Sequence, residues 1–453
     1  MADMTIGRNA ATPKGFLRRV SDARLDRVDD AHQQAWVVHP MSALLKLGAL
    51  SLSSHARSVR AVETRSEQLR PTVRAEVGLK ERVSDNAFGL ALPRVDWCEL
   101  RACLHRQVKA EWRRGNLEPS RFQKSTAAID GKHLATIPEK RLRTLVTRRT
   151  ELDGSQLSPE ELRRVLSTQF RYVQLQESTN GKLCGLIRVH RATLISSDAA
   201  MCLDQWPVAG HTNEWATIEL TVSALLSAYG RTKIIERVTL DAGNATPEVA
   251  RDLGQRSVDY FMAVKTAQGQ LHEHAVDTLG DRAGNKADHR VVVDERGKMI
   301  CYSVWCAQLE DNLGFEGARH IVRIDRVVAS DDDATVGNRY FVSSELPADL
   351  GPKEALKLAR AHWRCENEGH WTADAIFDED ARRTPWTMHP DGVLVVGLLR
   401  AIAINILAVL RALSRYKQGQ TWLKPTWKMV IEQALLTLCI PILNTSRFDA
   451  FEA

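Results

Sequence analysis

From Val393 to Leu413 the chain reads VLVVGLLRAIAINILAVLRAL, a run long enough to cross a bilayer. Few environments accept such a segment, so it constrains the fold more than any other stretch. Arg400 and Asn405 sit in its middle, and a central arginine costs roughly 2.5–3.5 kcal/mol on insertion scales, with no second span to shelter it. The run therefore reads as a helix buried in protein, which demands a large surrounding core. The 453 residues can supply one, since 44% are hydrophobic and 26% charged, the usage of a folded globular protein. That length admits one large enzyme domain with appendages, or two to three domains. Eight scattered cysteines include no Cys-x-x-Cys pair, which argues against a zinc ribbon or redox motif and fits a reducing cytoplasm. The opening MADMTIGRNAATPKGF offers no apolar run to serve as a secretory signal.

Charge is unevenly spread. Residues 1–150 carry 28 Lys and Arg against 16 Asp and Glu, and the remainder carries 34 against 40. Such asymmetry fits a basic module that meets a polyanion, joined to an acidic module able to hold cations; two solvated faces would look the same. After Pro40, MSALLKLGALSLSSHARSVRAVETRSEQL has apolar residues near helical spacing and then Arg57, Arg60, Arg65 and Arg70. CLHRQVKAEWRRG, 103–115, is a second basic helix that Gly115 stops.

From Ser125 the texture changes. STAAID reads as a short strand ending in an Asp130-Gly131 turn, and FRYVQLQ and KLCGLIRVHRATLI form a hairpin around residues 178–181. Between them the basic EKRLRTLVTRR precedes Ser158, Pro159, Glu160 and Glu161, the signature of a capped helix. Helical spacing at 216–229 leads into TKIIERVTLDAGN, a strand ending at Asp241. TPEVARDLGQ is helical, YFMAVK at 260–265 is a strand, 270–345 is mainly β, and helix returns at Lys353. The class is α/β.

Two acids thus stand at strand ends, Asp130 and Asp241, where rigid elements present catalytic groups but where Asp before Gly is also a common turn residue. A third, Glu366, continues a helical stripe of Ala355, Leu358, Ala359 and His362. A carboxylate on a mostly apolar stripe needs a partner, and a divalent cation shared with the two aspartates would supply it. Such a cluster suits two-metal phosphoryl transfer, with carboxylates as the hard ligands Mg2+ prefers. Spacing alone does not bring the three acids together.

At NRYFVSSELPADLGPKEALKLARAHWRCENEGHWTADAIFDEDARR, residues 338–383, the chain resembles the ISAs insertion-sequence transposases, which include the H-repeat-associated proteins and belong to the DDE superfamily. The matching positions are Tyr340, Ser343, Ser344, Arg360, His362, Trp363, Glu366, Asn367, His370, Trp371, Asp374, Glu379, Asp380 and Arg383. AIDGK around Asp130, VTLDA around Asp241, AVKTAQ around Lys265, HTNEWA at 211–216 and HPMSALLKLGALSLSSHARSVRAVE also look like family segments. Thr246, Ala267 and Gly369 depart from the family pattern.

The resemblance implies an RNase H-like catalytic core with a β-rich insertion and a helical N-terminal domain. Its parts would be a basic DNA-binding domain at 1–122, the first part of the core at 123–269, the insertion at 270–345, core helices at 346–415 and an extension at 416–453. It implies Asp130, Asp241 and Glu366 as catalytic metal ligands for two Mg2+ ions, with Mn2+ able to substitute. It implies cleavage at transposon ends and strand transfer on double-stranded DNA, by a homodimer on paired ends, in a cytoplasmic, nucleoid-associated bacterial protein with no membrane role. The alternative is a domesticated, non-mobile relative that binds DNA as a regulator or defence protein.

Other groups carry two readings each. Lys265 and Arg360 either contact phosphates or balance the carboxylates. Trp363 and Trp371 either stack on bases or pack their helix against the sheet. His362, Cys365 and His370 lack a fourth ligand and any zinc spacing.

Overall fold

The computed structural model describes residues 4–6, 12–30, 38–177, 181–230, 232–282, 286–295, 297–328, 335–379, 386–418 and 421–440. A short strand, β1 (Met4–Ile6), precedes a helical layer of α1 (Pro13–Asp22), α2 (Met41–Ser53), α3 (Val59–Gln68), α4 (Pro71–Val77), α5 (Asp85–Ala91) and α6 (Trp97–Arg113). Helix starts follow side-chain acceptors: Ser58, Ser84 and Asp96 each accept a backbone N–H of the first turn. Gly115, at φ +73°, takes the left-handed conformation just past α6 that glycine adopts without strain.

The sheet begins with β2 (Thr126–Pro138), followed by α7 (Glu139–Arg149), α8 (Pro159–Gln169), β3 (Val173–Glu177), β4 (Leu183–Leu194) and β5 (Cys202–Pro207). Next come α9 (Trp215–Tyr229), β6 (Arg237–Leu240), α10 (Pro247–Gln255), β7 (Asp259–Val264) and α11 (Gln270–Leu279). β8 (His289–Glu295), β9 (Lys298–Gln308), β10 (His320–Val328) and β11 (Thr335–Ser343) precede α12 (Pro352–His362). The described chain closes with α13 (Pro390–Leu413), β12 (Ser414–Gln418), β13 (Thr421–Leu423) and α14 (Trp427–Leu438). Ser158 and Glu161 cap α8 reciprocally, as the sequence indicates.

The strands order as β3-β4-β2-β6-β7-β11-β10-β9-β8, with β5 beside β3 on the outer edge of β4. β2, β6 and β7 are parallel; β4 and β11 join them antiparallel on either side. The β-rich stretch therefore extends the same sheet through β11 and β7, and its first ten residues are helical (α11), not β as its texture suggests. Their apolar positions Leu271, Ala275 and Leu279 fall on one helical face and are buried.

Burial alternates along the central strands. Ala127, Ile129, Val238, Leu240, Tyr260 and Met262 face α9, α10 and α11. Ala128 and Phe261 face α12 on the other side.

The long apolar run is α13, long and apolar enough to cross a membrane yet buried within the protein from Gly392 to Leu410. It packs between the N-terminal helices and β5, and Val395–Leu410 contributes to the same core as Phe16, Leu45 and Leu104. Its polar residues are matched. Asn405 accepts the Cys202 N–H at 2.8 Å and donates to the Cys202 carbonyl at 2.8 Å, while Arg400 reaches Glu379 at 3.4 Å. Asp204 of β5 binds Arg101 and His105 of α6, at 2.6 Å from the Arg101 Nε and 3.1 Å from His105, locking the helical layer to the sheet.

Candidate active site

The parallel register places the first two acids. β2 and β6 pair from Thr126 opposite Arg237 to Ile129 opposite Leu240, so one further step sets Asp130 beside Asp241. On the pleat, Asp130 shares the face of Ala128 and Asp241 that of Thr239, the side occupied by α12. Asp241 follows the carboxyl end of β6 and Asp130 stands where the parallel pairing of β2 with β6 stops, the side of open α/β sheets that binds ligands. The expected Asp130-Gly131 turn is absent: β2 runs on, held by β4 as far as Pro138 opposite Cys184, while β6 stops at Leu240. Asp130 accepts the Gly131 N–H at 2.8 Å and Asp241 that of Asn244 at 3.1 Å. Gln268 donates to the carbonyls of Ala242 and Ala245, closing the loop behind Asp241.

The third acid arrives differently from the simple stripe. α12 ends at His362, and the chain continues in π-helical turns over Cys365–His370 and Thr372–Ile376. The wider turn brings residues five apart onto one side: buried Cys365 and His370 meet at 3.8 Å, with the Cys365 thiol 3.3 Å from Thr193 of β4. Glu366 is turned out of the buried stripe and is exposed. Such turns recur at functional sites.

Two ion clusters fasten this segment to the sheet. Lys132, on the same strand face as Asp130, pairs with Asp374. Arg191, the cross-strand neighbour of Asp130, pairs with Glu379 at 2.7 Å, and Glu379 also receives Arg400 of α13.

The acids act on one another. The Asp130 carboxyl is pushed up to about 7, by burial first and then by the Asp241 charge, with Glu366 and Glu214 adding to it and the Gly131 N–H opposing. Glu214, just before α9, lies so close to Gly131 that a Cβ there would overlap its carboxylate. Burial holds His362 down at about 4 and His370 at about 3, so both rings are neutral at pH 7. His362 bonds Thr239 at 2.9 Å, and His370 stands 3.7 Å from Asp130. Among the described residues no group of three or more His, Cys, Asp or Glu side chains is gathered closely enough to hold a metal ion. Burial also raises the Cys365 thiol above its ordinary range.

Lys265 follows β7 at the same end of the sheet and is exposed. Arg360 turns away from the acids to Glu295 of β8, at 2.8 Å, and lies over Tyr302. Trp363 carries the Arg339 guanidinium 4.1 Å above its ring. Trp371 is 56% exposed at a cavity of about 240 Å³ that Arg411, Lys424 and Trp427 also line, so α12 is packed by Ala355, Leu358 and Ala361, not by this tryptophan. Asp380 and Arg383 lie outside the described residues, as does the Asn367 side chain.

Sequence reasoning assigned no role to Glu214, Lys132, Arg191 or Glu379. Three of them sit in segments already singled out, HTNEWA, AIDGK and FDEDARR, while Arg191 is simply a polar residue within a strand.

No protein-family model matches the chain. Over 231 residues it is 24% identical to "Putative transposase YncI" of Escherichia coli O157:H7, a match covering 48% of this chain and 56% of that protein. Over 187 residues it is 25% identical to "H repeat-associated putative transposase YhhI" of Escherichia coli K12, covering 38% and 47%. The chain thus spans about half the length of the relatives it matches.

Proposed function

We propose that this chain is a DDE-type transposase with an RNase H-like core, in which Asp130, Asp241 and Glu366 hold Mg2+ for DNA cleavage and strand transfer. The observation that carries this reading is the adjacent, same-face register of Asp130 and Asp241, with Glu366 close enough to add to the charge that raises Asp130. Crowded carboxylates are the hard oxygen donors that a divalent cation matches. A central strand flanked by an antiparallel neighbour on one side and parallel strands on the other supports the core assignment. The partial similarity to proteins named as transposases supports the substrate.

Bound metal would activate the attacking oxygen and stabilise the leaving one. The chain's own contribution is placement. β2 and β6 fix two carboxylates, the Lys132 and Glu379 clusters hold the segment bearing Glu366, and neutral His362 and His370 add no positive charge to compete with a cation. Asp241→Asn and Glu366→Gln are each expected to lower Mg2+-dependent nicking of supercoiled DNA by roughly 10²–10³-fold, the scale seen when one group stabilising a transition state is lost. Circular dichroism should be unchanged. Near wild-type nicking in either variant removes that residue from the site.

The departures from the family pattern at Thr246, Ala267 and Gly369 favour a second reading, a DNA-binding relative without turnover. In that case Mn2+ titration gives no heat and wild-type protein does not nick.

DNA affinity is expected to come from the basic first third of the chain, including the exposed Lys140, Arg141 and Arg148 of α7. Neutralised phosphates release counterions, so charge reversal of all three should weaken binding and lower the slope of log affinity against log salt by about 0.9 per lost contact. Anisotropy titrations with the full chain measure both. An unchanged slope places the DNA elsewhere.

A further inference from the structure

At its far side the sheet ends on β8, which pairs only with β9 among the described residues. Among the described residues nothing pairs with the other side of β8, so its backbone N–H and C=O groups on that side offer a template for strand addition. Natural edges are usually blunted by proline, charged side chains, a bulge or an inward-pointing charge. β8, HRVVVDE, has no proline and keeps register with β9 from His289 opposite Val304 to Glu295 opposite Lys298, and its charges Arg290, Asp294 and Glu295 flank a central run of three valines. Val291 and Val293 lean onto the core on the α12 side, while Arg290, Val292 and Asp294 stand exposed on the other face. Val292 is 53% exposed, and Met299, opposite Asp294, is 50% exposed.

The strand is complementary to its own reversal. Laid antiparallel on a second β8 with Val292 at the two-fold axis, Arg290 meets Asp294, His289 meets Glu295 and Val291 meets Val293, each pair occurring twice. Opposite charges and β-branched residues directly across from one another are the pairs that stabilise antiparallel strands. A one-residue slip would set Val291 against Asp294 and mix the two faces, so the complementarity selects one register. Both acidic ends are already braced from within, Glu295 by Arg360 of α12 and Asp294 by the Gly297 N–H at 2.7 Å.

We propose that β8 is a self-association edge through which two copies of this chain join, antiparallel and about a two-fold axis, into one continuous sheet. The interface is isologous and closes on itself, so it yields a dimer and not a fibre. It does not depend on the transposase reading, and its test uses neither DNA nor metal.

Light scattering and sedimentation equilibrium of the full chain should show a dimer. Arg290→Asp sets like charges against each other at both ends and is expected to weaken association by roughly tenfold or more. Adding Asp294→Arg re-pairs them and should restore the dimer, with circular dichroism confirming the fold of each variant. Val292→Cys, in a Cys301→Ser background, should form an intermolecular disulfide on oxidation. The two-fold sets that position against itself at the antiparallel Cα spacing of about 4.5–5.5 Å, within disulfide reach. A monomeric wild-type chain, a dimer indifferent to Arg290→Asp, or failure of Val292→Cys to cross-link would overturn the proposal.

Discussion

Replacing Asp130 by Asn is expected to stabilise the metal-free protein at pH 8 by about 2–4 kcal/mol while abolishing Mg2+-dependent cleavage. The folded-state pKa of Asp130 is raised from 3.8 to about 7, and each unit is worth about 1.4 kcal/mol. Because the folded form holds this proton more tightly than the unfolded chain, stability falls as pH rises from about 4 to about 7 and levels off above that. Asn keeps the size and still accepts the Gly131 N–H, but carries no charge to oppose Asp241 and Glu366. The gain should therefore be full at pH 8, smaller at pH 6 and gone at pH 4. Thermal or urea denaturation in chelator reads it directly.

Metal supplies the converse measurement. Mg2+ should raise the melting temperature of the wild type and leave that of Asp130→Asn unchanged, since a ligand that binds only the folded state stabilises it by mass action. Equal stability of the two proteins in chelator at pH 8 would mean that the acids do not strain the fold, and the carboxylate cluster would lose its physical basis.

What the sequence made legible was local. The α8 capping box, the apolar stripe of α9, the strand before Asp241 and the buried Val393–Leu413 helix all announce themselves through short-range chemistry, and all are present. The Asp130-Gly131 turn failed because β4 keeps β2 paired for eight residues past Asp130, across a register shift between His133 and Ala135, a long-range pairing that overrides a two-residue turn signal. The regular α-helix through Glu366 gave way to π-helical turns for a similar reason: Cys365 is buried against Thr193 of β4 and His370 beside Asp130 of β2, which a 3.6-residue repeat cannot give to positions five apart. That Asp130 and Asp241 lie side by side is a property of strand register, which spacing in the chain does not encode. Glu214 and Arg191 were missed because each becomes informative only beside a strand neighbour, Gly131 or Asp130, that is distant in sequence.

Loss of Glu379 should be the most damaging single change away from the acids themselves. Its carboxylate is fully buried between Arg191 and Arg400, so Glu379→Ala leaves two buried guanidinium groups without their counter-charge, a loss expected to cost about 3–5 kcal/mol. Burial alone would push the Glu379 carboxyl up, but the charges of Arg191, Arg400 and Lys132 outweigh it and hold the group at about 2. A depressed folded pKa contributes stability that is present above the unfolded value of about 4.5 and is lost as pH falls toward about 2. Wild-type stability should thus drop across that window, whereas the drop in Glu379→Gln should be smaller.

The same carboxylate anchors the end of the π-helical segment, so hydrogen exchange over residues 365–376 should speed up in Glu379→Gln more than in the sheet. A triple exchange of Arg191, Glu379 and Arg400 for apolar residues of similar volume separates the two roles. Buried ion clusters replaced in this way often recover stability, but the apolar set cannot reproduce the directional hold of Arg191 on the segment that carries Glu366. A stable triple variant with slow exchange at 365–376 and full nicking would show that the cluster is only a means of filling the core.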